Sequence, residues 1–163
     1  MKNKLISDKA IELLQFRIKE EQLSSRVYEQ MSLYLDDVGL LNSAKLWSKY
    51  SQEELGHADW AKDYLLSFGV MPVLQTLEAP TSKFNGLLDI ITKTLEHEEL
   101  ISKQCNALAK QALDMGDFML FQLGLKYTKE QSEEINKSIT LIDISKLTQD
   151  QLILDTYIGQ NLL

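Results

Sequence analysis

The sequence predicts an all-α protein: four long helices packed as a bundle, one long crossover between the second and third, and a short fifth helix at the C-terminal end. Three observations predict it. Chain breakers are scarce, with 7 Gly and 2 Pro in 163 residues, so the segments between them are too long to be strands. The breakers are also grouped: Gly39 and Gly69 stand about thirty residues apart, as do Gly86 and Gly116, and Pro72 and Pro80 both fall between Gly69 and Gly86. Finally, each uninterrupted segment repeats its apolar residues at the three-to-four spacing of a helix face.

The first helix is predicted over about 7–35, with Ser7 as its N-cap and Asp36-Asp37-Val38-Gly39 as the following turn. The second runs over about 40–68 and stops at Gly69, a residue suited to a left-handed C-terminal cap. The third spans about 86–113, and Asp114-Met-Gly-Asp117 turns the chain into a fourth helix over about 118–145. A short fifth helix fits 148–161, where Thr148 and Gln151 have the spacing of a capping box.

The stretch 70–85 holds both prolines and no helical stripe. Extended, it reaches about 53 Å, and the second helix is about 44 Å long. The connection can therefore return along the whole bundle. Short turns make the first pair and the last pair antiparallel, and the crossover makes the second and third helices parallel. Residues 1–163 read as one domain, with the bundle over 7–145.

Composition excludes several classes. The net charge is −7, which argues against a phosphate backbone as partner and leaves cations as company. A single cysteine, Cys105, permits no intrachain disulfide. Met1-Lys-Asn-Lys is followed only by Leu5-Ile6 before the chain turns polar, too short an apolar run for a signal peptide. No run approaches the roughly 18 apolar residues of a membrane span. The expectation is a cytoplasmic protein that binds neither nucleic acid nor membrane.

The stripes carry the chemistry. In the first helix the inward face reads Ile11, Leu14, Ile18, Glu21, Ser25, Tyr28, Ser32, Leu35. The second reads Trp47, Tyr50, Glu54, His57, Ala61, Tyr64, Phe68, and the third Ile91, Thr94, Glu98, Ile101, Cys105, Leu108, Ala112. The fourth reads Leu120, Gly124, Tyr127, Gln131, Glu134, Ser138, Leu141. Each apolar face is interrupted near its midpoint, and midpoints of bundled helices meet at one level. Glu21, Glu54, His57, Glu98, Gln131 and Glu134 should converge. Carboxylates gathered in an apolar core without compensation cost several kcal/mol each, so their convergence implies a cation. A single such Glu would more often snorkel to water at a stripe edge; four helices doing so at one level is a different matter.

Oxygen donors with one imidazole suit iron or manganese; a closed structural zinc site would prefer thiolate or more histidine. Glu54 and His57, at i and i+3, can bind one ion together, with Glu21 completing that half. Glu98 and Glu134 supply a second half, and Glu54 can bridge. Only the first half has a nitrogen ligand, so the second ion should be held more loosely.

The segments Glu21-Gln-Leu-Ser-Ser-Arg-Val-Tyr28, Glu53-Glu54-Leu-Gly-His57, Glu96-His97-Glu98 and Glu130-Gln131-Ser-Glu133-Glu134 resemble the metal-binding segments of prokaryotic non-haem ferritins, over nearly the whole chain. The resemblance implies a ferritin-like bundle with a di-iron ferroxidase centre in each subunit. It implies a hollow homo-oligomeric 24-mer shell that stores ferric mineral. Fe(II) and O2 or H2O2 would be the substrates. By matching position, Glu21, Glu54 and His57 correspond to the first iron site, and Glu54, Glu98 and Glu134 to the second. Gln131 corresponds to the nearby glutamine and Tyr28 to the site tyrosine. Glu53, Glu130 and Glu133, with Glu134, correspond to a third iron site.

The departures sharpen this. Di-iron carboxylate oxidases and bacterioferritins carry Glu-x-x-His on two helices; here the fourth helix has Gln131-x-x-Glu134, which favours a transit site over a resident cofactor. Leu55 stands where bacterioferritins place a haem-ligating methionine, so no haem is expected. Lys126 stands where many relatives have a tryptophan, and its ammonium can reach Glu130 and compete with a third ion. Glu53, Glu130 and Glu133 could equally be a solvated face. His97, off the stripe, reads as a surface or interface residue before it reads as support for the ligands. Asp114 and Asp117 read as a turn and N-cap pair, with an acidic path for cations as the alternative. Gly56 and Gly124 sit inside helices without an evident reason. The short fifth helix is marginal alone and must dock; relatives dock it around a fourfold axis.

Two other functions compete. A rubrerythrin-type oxidase or peroxidase that keeps its metal is weakened by the missing second Glu-x-x-His and by the absence of Cys-x-x-Cys. A non-catalytic helical interaction protein is weakened by the convergent carboxylates.

Overall fold

A computed structural model describes residues 5–163. Residues 1–4, on which the expectation of no signal peptide partly rests, lie outside them. Five helices follow in order: α1 Asp8–Asp37, α2 Leu41–Ser67, α3 Leu87–Asp114, α4 Phe118–Ser145 and α5 Gln151–Asn161. The chain is a four-helix bundle with one long crossover and a short C-terminal helix. α1 packs mainly on α2, and α3 mainly on α4. Among the described residues no helix is long and apolar enough to cross a membrane.

The caps follow from side-chain chemistry. Ser7 Oγ accepts from the Ala10 N–H at 3.1 Å, and Asp117 Oδ1 from the Leu120 N–H at 3.0 Å. Asp117 thus serves α4 as an N-cap, while Asp114 pairs with Lys110. Gly69 ends the second helix with φ +72°, the left-handed region that favours glycine.

The apolar core falls into two clusters. One holds Trp47, Leu87, Ile90, Ile91, Leu154 and Ile158; the other holds Leu14, Ile18, Leu65, Cys105, Leu108 and Leu120. The interrupted stretch of each stripe lies between them, so the polar level is closed on both sides. Gly124 is explained by packing. A Cβ there would come within 2.8 Å of the Ala109 Cα, so α3 and α4 approach too closely for any other residue. Around Gly56 a Cβ would meet nothing within 4 Å, and nothing in the structure requires glycine there.

The fifth helix departs from expectation. It begins at Gln151 rather than near Thr148, and its N-cap is Asp150, whose carboxylate accepts from the Leu152 and Ile153 N–H groups. Thr148 Oγ1 accepts instead from the Asp150 N–H at 3.1 Å. Gln151 does not close a capping box, because its Oε1 accepts from the Leu87 N–H at 2.7 Å and caps α3. Gly86, at φ +90°, leaves room for it: a Cβ would sit 2.6 Å from that oxygen. Asp155 does the same for α2, which has no side-chain cap of its own. Its carboxylate accepts from the Ser43 N–H and Oγ, both at 2.7 Å, and from Asn42 Nδ2 at 3.1 Å. The fifth helix therefore docks on its own chain, capping two helices whose N-termini share one end of the bundle.

Candidate metal centre

The α1–α2 half is built by helical periodicity alone. Glu21 follows Ile18 on the buried face of α1, and Glu54 and His57 follow Tyr50 on that of α2. Bundle packing brings one ligand atom from each of Glu21, Glu54 and His57 within 4.8 Å of the others. Among the described residues this is the one such group of three. His57 Nδ1 lies 3.1 Å from Glu54 Oε2. The His57 backbone carbonyl accepts from Tyr127 Oη at 2.6 Å, and its ring lies 4.8 Å from that of Trp60. The imidazole is thus held at its base and along one side.

The α3–α4 half faces this group. Glu98, 3% exposed, accepts from Tyr28 Oη and from Gln131 Nε2, and Gln131 also donates to the Glu98 carbonyl at 3.0 Å. Tyr28 and Gln131 thereby orient Glu98 from two neighbouring helices. Glu134 is buried and takes an ion pair from Lys137 Nζ at 2.8 Å.

The two halves share one electrostatic problem. Burial pushes the Glu21 carboxyl up to about 8, against the pull of Arg17, and the neighbouring Glu54 adds to the rise. Burial likewise pushes Glu54 up to about 8, with Glu98 and Glu134 contributing. One ligand oxygen of Glu21 and one of Glu54 lie within 4.8 Å of each other. Glu98 and Glu134 are raised by burial too, but less, because Tyr28 and Gln131 donate to one and Lys137 to the other. A buried group of carboxylates short of donors is a candidate cation site. Hard oxygen donors with one imidazole fit iron.

A profile of the ferritin-like domain matches residues 11–147. The chain belongs to the ferritin family. It is 31% identical over 139 residues to a probable bacterial non-heme ferritin-like protein of Haemophilus influenzae, covering 85% of this chain and 84% of that one. It is 30% identical over 139 residues to a bacterial non-heme ferritin of Escherichia coli, with the same coverage. Among solved structures, an open pore ferritin from the archaeon Archaeoglobus fulgidus superposes with a TM-score of 0.90 at 28% identity, covering 94% of this chain and 97% of that one.

Against that ferritin frame, the residues read as a third site are less gathered. Glu130 Oε1 is 3.7 Å from His57 Nε2, and Glu53 Oε2 is 3.7 Å from Lys137 Nζ. Glu133 is exposed. Lys126 does not reach Glu130. Its ammonium sits 3.8 Å from the centroid of the Trp60 ring, because the aromatic face across the α2–α4 groove offers a cation–π contact.

Trp60 and Arg17 escaped the sequence reading, and His97 takes the supporting role that is its second reading from sequence. His97 is turned inward: Nε2 is 2.8 Å from Ser24 Oγ, its ring meets Tyr28 edge-on at 5.6 Å, and burial pushes it down to about 4. It is a neutral brace behind Tyr28, not a surface histidine. Trp60 lines His57, as described. Arg17, 1% exposed, holds Glu21 Oε1 at 2.7 Å through Nε. Its i, i+4 spacing to Glu21 was the available signal.

Proposed function

We propose that this chain stores iron by oxidising Fe(II) to Fe(III) at a di-iron ferroxidase centre inside each subunit. The observation that carries the reading is the Glu21, Glu54 and His57 group, buried and short of donors, with two carboxyls raised to about 8. Glu21, Glu54 and His57 bind the first Fe(II). Glu54, Glu98 and Glu134 bind the second, with Glu54 as bridge. Tyr28 and Gln131 hold Glu98 in place. Glu53, Glu130 and Glu133, with Glu134, form a third iron site.

Binding displaces the proton that burial retains on the Glu21 and Glu54 carboxyls, so the carboxylates neutralise the incoming charge. Two Fe(II) ions each give up one electron. O2 takes both, with two protons, to become H2O2; alternatively, H2O2 takes both, with two protons, to become two waters. The absence of a second Glu-x-x-His leaves the second ion with oxygen ligands only, which suits substrate in transit. Ferric product accumulates as mineral in a cytoplasmic 24-mer shell.

The test is aerobic Fe(II) loading of the full chain, followed by gel filtration and the iron-to-protein ratio. The parent should elute as a closed shell and retain far more iron than two ions per subunit. Glu54→Ala should assemble alike but oxidise Fe(II) severely more slowly. A parent that elutes small and retains only stoichiometric iron would favour a resident di-iron oxidase instead.

A further inference from the structure

Arg17 is an unusual companion for a metal ligand. Its guanidinium is permanently charged, fully buried, and unable to swing to solvent as an exposed lysine can. It is aimed by a chain of contacts across the bundle. Nη1 donates to Gln104 Oε1 on α3 at 3.1 Å and lies 3.6 Å from Cys105 Sγ. Gln104 Nε2 donates in turn to Glu20 Oε2 at 2.7 Å. The guanidinium carbon sits 5.9 Å from the Tyr127 ring centroid.

The contact with Glu21 is close but poorly aligned. Arg17 Nε and Nη2 are both buried without a hydrogen-bond acceptor, although Nε is 2.7 Å from Glu21 Oε1. Glu21 Oε2 is also buried and accepts from no protein donor. Buried donors left unmade are costly. One oxygen of Glu21 is therefore claimed by a fixed cation, and the other is left for an ion.

We infer that Arg17 is a positioning and charge-setting residue of the metal centre: it restricts Glu21 to coordination through one oxygen and holds a permanent positive charge beside the first ion, biasing the centre against the ferric product relative to the ferrous substrate. This rests on the ferroxidase reading above. The physical basis is that Coulomb opposition from a fixed charge scales with the charge of the ion it opposes. A trivalent ion is penalised half as much again as a divalent one at the same place. Because the guanidinium is buried, salt screens it little. The bias promotes release of Fe(III) without a moving part.

The test uses the assembled full-length protein and two redox-inert probes, Zn(II) by calorimetry and Tb(III) by sensitised luminescence. Ions at the centre are defined as those lost in Glu54→Ala. Arg17→Gln removes the charge and keeps polarity toward Glu21 and Gln104. It should tighten Zn(II) at the first site roughly tenfold and Tb(III) roughly thirtyfold, the logarithms standing in the ratio of the ionic charges. Arg17→Lys keeps the charge and should leave the ratio of Tb(III) to Zn(II) affinity near that of the parent. Unchanged or weaker binding of both probes in Arg17→Gln, or the same change of ratio in both variants, would overturn the inference. If the parent itself has no ions that Glu54→Ala removes, the ferroxidase reading fails instead.

Discussion

Two places in this chain bury carboxylates, and they solve the burial in opposite ways. At the end of the bundle Asp155, 8% exposed, receives the Ser43 N–H, the Ser43 hydroxyl and the Asn42 amide. These donors belong to the N-terminus of α2, where unpaired N–H groups and the helix dipole favour a negative charge. At the middle of the bundle Glu21, 2% exposed, sits with Glu54 among other carboxyls, one oxygen without any donor. The first arrangement completes the fold. The second weakens the fold, and on the ferroxidase reading a cation completes it. The difference teaches that burial alone does not mark a functional carboxylate; burial with too few donors does.

The largest expected effect breaks the structural side of this comparison. Asp155→Ala leaves the α2 N-terminus uncapped and loosens α5, and should lower unfolding stability by about 3 kcal/mol. Asp155→Asn, which keeps one accepting oxygen, should recover about half of that. Urea unfolding followed by circular dichroism measures both, and a loss below 1 kcal/mol in the alanine variant would mean that water caps α2 equally well.

The middle of the bundle should respond with the opposite sign. Glu21 and Glu54 have folded values near 8 against the ordinary 4.5, so the folded state holds protons that the unfolded state has released. That stability is complete below pH 4.5 and is lost as pH rises toward 8, at about 1.4 kcal/mol per pH unit for one retained proton. Glu54→Gln should flatten this slope and stabilise the metal-free protein at pH 8 by about 1–2 kcal/mol. Thermal unfolding in chelator across that range checks it; a parent whose melting temperature is level from pH 5 to 8 would contradict the raised values. At pH 7, titration of the parent with Zn(II) in buffers of different ionisation enthalpy should reveal about one proton released per first site.

A smaller effect belongs to Lys137, whose ammonium neutralises Glu134 and approaches Glu53. On the ferroxidase reading it must yield to an ion at the second site. Its side chain is 41% exposed, so water and salt weaken its hold. Lys137→Gln should tighten the second divalent ion about threefold at low salt, with the gain shrinking at high salt. An effect independent of salt would point to packing rather than charge. The smallest effect is expected for Lys126→Gln. Because Lys126 sits over Trp60, its loss should shift the tryptophan emission and lower the melting temperature by about 1–2 °C. Third-ion affinity should stay unchanged. A tighter third ion in that variant would restore the pairing with Glu130 that the sequence suggested.

Much of the fold was readable because its signals are local. Breaker placement, the length of 70–85 and the interrupted stripes all lie along one helix or one connection. The level at which Glu21, Glu54, Glu98, Gln131 and Glu134 sit follows from helix lengths alone. What the sequence did not disclose depends on partners far along the chain. His97 turns inward because Ser24 and Tyr28 receive it from α1, which only the rotation of α3 about its axis decides. Thr148 and Gln151 have capping-box spacing, but Gln151 is taken by the α3 N-terminus, a stronger demand than its own helix makes.

Helical periodicity and the types of the mid-helix residues thus determined, before any coordinates, that this protein is a bundle with acidic groups and one histidine at its centre. Tertiary structure decided the partners that lie on other helices. Arg17 against Glu21 and Lys137 against Glu134 are neighbours along one helix, but Lys137 near Glu53, Gln104 against Arg17 and Asp155 at the start of α2 depend on which helix faces run past one another. The reason is range: a helix repeats every few residues and announces its face, whereas a charge finds its partner through space.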